Sequence, residues 1–253
     1  ENVHTTVDPY FISLPSTDDT GDHWFYTVYS YPKNQNNDPL LDKLVSEDGT
    51  YADTATVSEG DTLSYRLTSK LPSITSKATY LSEHTFTDEL SKELTYNKDV
   101  AITFYDNEDA AKNATGTNIA TWSANSNPTL FSATYENTAD GTKMTVKPTT
   151  AGLAEINSKY SDAWMVVSYT ADVTSTADMI CGDEGNENEV KLTYRRTSEN
   201  YFNFIEDRAK VYTFGINLDK NFSDGQGDAT KVQFVLYNKV DNYYVTATGE
   251  DGL

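Results

Sequence analysis

From residue 40 onward, short runs of aliphatic, aromatic and β-branched residues alternate with polar turns. Residues 40–45, 62–67, 101–105, 129–135, 143–147, 165–173 and 190–194 all read as strands, and the Asp140-Gly141 pair between two of them is a hairpin signal. Strands of this length, separated by turns, predict a β-sandwich. The helical period appears at 152–161, where Leu153, Ile156 and Tyr160 share a face, and this helix is expected to cover one end of the sandwich. Upstream, 10–14 and 24–31 are strand-like and flank the polar loop STDDTGDH. Two strands are not stable alone, and NQNNDP reads as a boundary. Downstream, 210–222, 232–237 and 243–247 are again strand-like but too few for a sandwich. The expected division is therefore 1–35, 36–210 and 211–253.

Strand parity makes some polar positions conspicuous, because alternate residues face one side of a sheet. Lys43 shares a face with Leu41 and Val45, Asp88 with Phe86 and Leu90, and Asn188 with Val190, Leu192 and Tyr194. All three are predicted to point inward. Burial of a lone Lys or Asp costs roughly several kcal/mol unless it is paired or neutralised. A lysine, an asparagine and a carboxylic acid are also the parts of a spontaneous isopeptide bond. Apolar surroundings favour a neutral amine and a neutral acid, the acid polarises the amide, and the amine displaces ammonia. The plainer reading is a lysine at a strand end, an N-capping Asp and a turn Asn. Asn186 has the same parity as Asn188, so the pattern leaves both open. Lys220 shares a face with Phe214, Ile216 and Leu218 and is predicted to point inward in its own segment.

Composition supports the β reading, with 18 Tyr, 37% hydrophobic residues and only 13 Gly among 253 residues. A formal net charge of −20 argues against nucleic acid or an anionic lipid surface as partner. No apolar run reaches membrane-spanning length, and the first residues lack the layout of a signal peptide. The single Cys181 excludes a disulfide framework within the chain. His4, His23 and His84 have no metal-ligand spacing and are expected at the surface or in turns. The acidic stretches DNED (106–109) and DEGNENE (183–189) are oxygen-rich, but neither has EF-hand spacing, and solvated loops are expected. Nucleotide-binding and hydrolase motifs do not occur, so no metal and no cofactor are expected.

The segment WFYTVYSYPKN resembles the pilin motif W-x-x-x-V-x-V-Y-P-K of sortase-assembled backbone pilins of Gram-positive bacteria. Trp24, Val28, Tyr31, Pro32 and Lys33 match, and Ser30 replaces the second Val. The resemblance implies that Lys33 is the amine a sortase joins to the C-terminal threonine of the next subunit. The 40–45 strand, VSEGDTLSYRL, FTDEL, YTADV and GNENEVKLTY resemble, in that order, the family's isopeptide-forming second domain, which is of the collagen-adhesin A type. On that resemblance Lys43 is the reactive lysine, Asp88 the catalytic acid and Asn188 the partner. Glu187 stands where the family often has Pro, which again leaves Asn186 open. YTFGINLDKNF resembles the first strand of a collagen-adhesin B-type domain, with Lys220 as its isopeptide lysine and no partner for it in this sequence.

The resemblance thus implies an all-β chain of tandem immunoglobulin-like sandwiches. Residues 1–35 would close an N-terminal domain that lies mostly before Glu1, and 211–253 would begin a third. The implied role is a shaft subunit of a covalently polymerised, cell-wall-anchored extracellular pilus, with identical subunits, a pilus-specific sortase and ancillary pilins as partners. It would be no enzyme beyond one autocatalytic turnover. The rivals are an ancillary pilin or adhesin that binds a host ligand, and a carbohydrate-active module on the same kind of sandwich.

Overall fold

The computed structural model describes residues 38–176 and 179–215 without a break, together with 6–7, 14–18, 20–27, 34–35, 220–223, 225–239 and 242–245. The first strands are two-residue pairs: β1 (Thr6–Val7) with β4 (Asn34–Gln35), and β2 (Ser16–Thr17) with β3 (Trp24–Phe25). The strand expected at 24–31 is therefore described only at its start, and 28–31 lie outside the described residues. The long elements follow: β5 (Leu40–Ser46), β6 (Thr54–Thr56), β7 (Thr62–Lys70), β8 (Leu81–Ser91), β9 (Leu94–Tyr96) and β10 (Ala101–Tyr105). Next come helix α1 (Glu108–Asn113), β11 (Ala120–Ser123), β12 (Phe131–Asn137), β13 (Gly141–Pro148), helix α2 (Thr150–Lys159), β14 (Trp164–Val173), β15 (Asn186–Arg196) and β16 (Asn203–Tyr212).

Alternation drives these strands into two sheets. In β7, Leu63, Tyr65 and Leu67 are buried while Ser64 and Arg66 between them are partly exposed, and in β15 Asn188, Val190, Leu192 and Tyr194 alternate in the same way. One sheet runs β11-β10-β14-β7-β5, with β9 paired to β14 beyond the end of β10; the other runs β12-β13-β8-β15-β16-β6. Among the described strands of the two sheets, pairing is antiparallel except for β16 with β6. The two inner faces enclose one core that includes Leu67, Phe86, Phe104, Trp122, Met165, Val190 and Leu192. The fold class is thus nearly all-β, as the alternation predicts.

Helix α2 starts where Thr149 caps the Gly152 N–H at 3.2 Å, and it buries Gly152 and Ile156 against the sandwich. A Cβ on Gly152 would meet the Leu130 carbonyl oxygen at 1.9 Å, so this close approach requires glycine. Asn157 then grips the backbone of Leu81 through both its amide atoms, at 2.8 and 2.9 Å.

Some expectations are corrected. DNED is not an open loop: Asn107 caps Ala110 N–H, and Glu108 and Asp109 lie in the first turn of α1, where acidic side chains suit the helix dipole. His84 is buried, because it shares its inward parity with Phe86 and Asp88. Lys210 to Tyr212 end β16 and pair with β6, so the stretch expected to open a new segment at 211 completes a strand of this sandwich.

The chain divides into two units, Glu1–Phe214 and Gly215–Leu253. The second contains the hairpin β17 (Leu236–Asn238) and β18 (Tyr243–Val245), with the rings of Tyr237 and Tyr244 5.0 Å apart.

Candidate functional site

Lys43, Asp88 and Asn188 meet in the interior. Lys43 lies in β5, the edge strand of its sheet, opposite Leu67 of β7. Its backbone N–H, which has no strand partner on the outer side, donates to Asp207 Oδ2 of β16 at 2.6 Å and so ties one sheet to the other. The long side chain then crosses the core. Asp88 and Asn188 come from adjacent strands of the other sheet, β8 and β15.

The three polar groups are in direct contact. The Lys43 Nζ donates to Asp88 Oδ2 and, at 2.5 Å, to Asn188 Oδ1. Lys43 and Asp88 are 0% exposed and Asn188 is 2% exposed, so no bulk water competes for the amine. Burial pushes the Lys43 amine below the ordinary lysine range, against the opposing pull of the Asp88 carboxyl and its hydrogen bond. The neutral form, which alone is nucleophilic, is thereby favoured. The Asn188 Nδ2 has no hydrogen-bond partner among the described residues. An unpartnered buried amide nitrogen costs free energy and leaves that nitrogen unrestrained.

The sheet that carries Lys43 covers Asp88 and Asn188 with tyrosines. Tyr65 of β7 and Tyr169 of β14 stack with centroids 5.0 Å apart, and Tyr96 of β9 tilts against Tyr169 at 5.3 Å. Lys43 Nζ lies 5.4 Å from the Tyr65 ring centroid. Tyr96 and Tyr169 hydroxyls donate to Asp88 Oδ1 at 2.8 and 3.1 Å. The Tyr65 hydroxyl lies beside Asn188 without meeting hydrogen-bond geometry, and burial holds it un-ionised.

Of the two open asparagines, Asn186 is engaged elsewhere. Its amide pairs with the backbone of Ile180 at 2.8 and 3.1 Å and with the Val211 carbonyl at 3.2 Å. Lys33 lies outside the described residues. Lys220 is exposed rather than inward, with Nζ 4.7 Å from the Phe222 ring, and belongs to no described strand. Among the described residues no group of His, Cys, Asp and Glu is arranged to hold a metal ion.

Sequence reasoning did not single out Tyr65, Tyr96, Tyr169 or Asp207. Parity carried a signal for Tyr65, which alternates with Leu63 and Leu67, and for Tyr169, which alternates with Val167 and Ala171. Asp207 carried none, since its role depends on the seam between β5 and β16.

No family model and no curated protein matches the sequence. Solved structures of similar fold include the 35 kDa C-terminal fragment of the major pilin GBS80 of Streptococcus agalactiae, at 18% identity and a TM-score of 0.52, covering 75% of this chain and 61% of that one. Another is the full-length major pilin SpaD from Corynebacterium diphtheriae, at 19% identity and a TM-score of 0.48, covering 78% of this chain and 41% of that one. The chain therefore spans less than two thirds of either. At this identity the likeness to the GBS80 fragment speaks for the fold.

Proposed function

We propose that this chain is part of a shaft subunit of a covalent pilus, and that its sandwich is stapled by an isopeptide bond between Lys43 and Asn188. The observation that carries the reading is the dry contact of the Lys43 amine with both the Asn188 amide and the Asp88 carboxyl. The fold shared with a major pilin fragment agrees with it.

The reaction uses only these three groups. Asp88 takes a proton from the Lys43 ammonium, leaving a neutral amine against a neutral acid. The Nζ lone pair forms a bond to the Asn188 side-chain carbonyl carbon while Asp88 gives its proton to Oδ1 and takes one from Nζ. Asp88 then protonates Nδ2, the C–Nδ2 bond breaks, and the carbonyl reforms as its oxygen returns a proton to Asp88. One amide replaces another, ammonia leaves, and Asp88 is regenerated. Positioning supplies most of the rate, since the reactants are held at contact distance once the sandwich closes.

A load on the chain enters this sandwich at β5, and Asn188 lies in β15, the next to last of its strands. A bond between them lets tension bypass the β-ladder hydrogen bonds. Lys33, in the segment that resembles the pilin motif, is proposed as the acceptor that a pilus-specific sortase joins to the next identical subunit, at the bacterial surface. Intact-mass measurement tests the staple: the chain is expected to weigh one ammonia less than its sequence, and Asp88→Ala to restore the full mass. An unshifted mass for the unaltered chain overturns the reading.

A further inference from the structure

The two oxygens of Asp88 face different partners. Oδ2 lies against the Lys43 amine, while Oδ1 accepts hydrogen bonds from the hydroxyls of Tyr96 at 2.8 Å and Tyr169 at 3.1 Å. The Tyr96 hydroxyl is also 3.1 Å from the Asp88 main-chain carbonyl, which fixes it relative to β8. The tyrosines come from different strands of the opposite sheet: Tyr169 pairs with Tyr65 across β14 and β7, and Tyr96 pairs with Ala171 across β9 and β14. Both hydroxyls are kept protonated, because burial first and the Asp88 carboxyl second push their pKa values well up. They are permanent donors.

A carboxyl oxygen that already accepts two phenol protons has no free lone pair for a third. Without those donors the carboxyl torsion is soft and broad, so the carboxyl plane can turn until neither oxygen faces the amine. We infer that Tyr96 and Tyr169 are positioning residues that hold the plane of the Asp88 carboxyl, so that Oδ2 and the proton it relays stay on the Lys43 amine, a hold that exists only when β9 and β14 are packed over β8. The tyrosines gain and lose no protons; each step of the relay passes through Oδ2 alone. This inference rests on the reading that Lys43 and Asn188 become joined.

The test follows ammonia loss by intact mass during cell-free synthesis of the whole chain, for the unaltered protein, Tyr96→Phe, Tyr169→Phe, the double variant and Tyr135→Phe. Tyr135 belongs to the same aromatic row, its ring centroid 5.4 Å from that of Tyr96, but its hydroxyl has no hydrogen-bond partner among the described residues. Folding stability is measured in parallel in an Asn188→Ala background, which cannot cross-link. The double variant is expected to slow ammonia loss on the order of tenfold to a hundredfold. Each single variant, which keeps one donor on Oδ1, is expected to slow it less, and Tyr135→Phe to leave it unchanged. In the Asn188→Ala background the Tyr96 and Tyr169 hydroxyl protons are expected downfield by NMR, and Asp88→Ala to abolish that shift. A double variant that cross-links at the unaltered rate, or slows only as far as its lost stability accounts for, overturns the inference. Absence of ammonia loss from the unaltered chain overturns the cross-link itself instead.

Discussion

Asn188 sits diagonally from Asp88 on the neighbouring strand, because Val190, not Asn188, stands directly opposite Asp88 in the β8–β15 ladder. The diagonal leaves a gap between the carboxyl and the amide on the inner face. The Lys43 Nζ fills it, touching both. A register shifted by two residues would put carboxyl and amide directly opposite each other and alter that gap.

The proposed staple predicts a large stability difference. Lys43 and Asn188 are 145 residues apart, and closing a loop of that size in the unfolded chain is worth about 5 kcal/mol by loop entropy. Asn188→Ala is expected to lower the unfolding free energy by at least that amount, since it also leaves a buried amine and carboxyl pair where the joined chain has a neutral amide. Denaturant titration of the two proteins checks this, and coincident midpoints would count against a bond.

Polymerisation and stapling are expected to separate. Lys33→Ala, incubated with a pilus-type sortase and a peptide that carries the sorting signal, is expected to form no conjugate while still lacking one ammonia. Conjugation at an unchanged level would remove Lys33 from the acceptor role.

His84 predicts acid sensitivity. It is buried, neither ring nitrogen has a hydrogen-bond partner among the described residues, and its ring meets Phe86 edge-on at 5.4 Å. Burial lowers its pKa from 6.5 to about 4, against a weaker opposing pull from Glu83. Above pH 6.5 the imidazole is neutral both folded and unfolded, and contributes nothing to the pH dependence. As pH falls from 6.5 to 4 the unfolded chain binds a proton that the folded chain refuses, so stability drops, by about 3 kcal/mol once the pH is below 4. His84→Leu is expected to flatten the stability curve across that window, as read from denaturation midpoints at several pH values. An unchanged slope would exclude His84 as its source.

Asp207 predicts a seam effect. Its carboxylate accepts the Lys43 N–H at 2.6 Å, the contact that ties edge strand β5 to β16. Asp207→Ala is expected to cost about 1–2 kcal/mol, the range for a hydrogen bond to a charged group discounted for partial exposure. The mass is expected to remain one ammonia light, because Leu67 and its neighbours still hold β5 in register. Loss of cross-linking in this variant would show that the seam, rather than the ladder, places Lys43.

Much of this was decided by the sequence alone. A period of two, punctuated by turns, determined β5, β7, β10 and β12 to β15 and the inward direction of Lys43, Asp88 and Asn188, because side-chain direction in a strand depends only on local parity; β6, β9, β11 and most of β16 fell outside the expected runs. The same rule applied to His84 places it inside, beside Phe86 and Asp88, although an isolated histidine suggests a turn. The helix in DNED was hidden because six residues give too few apolar positions to show a period, and its capping residue Asn107 was the available signal. The choice between Asn186 and Asn188 belonged to tertiary structure. Both have the same parity, and which one lies level with Lys43 depends on pairing between segments far apart in the chain, and on the Ile180 backbone that occupies Asn186. The tyrosine donors to Asp88 were decided there too. A strand's own pattern says which face a hydroxyl is on, whereas its partner is set by how the two sheets pack across the core.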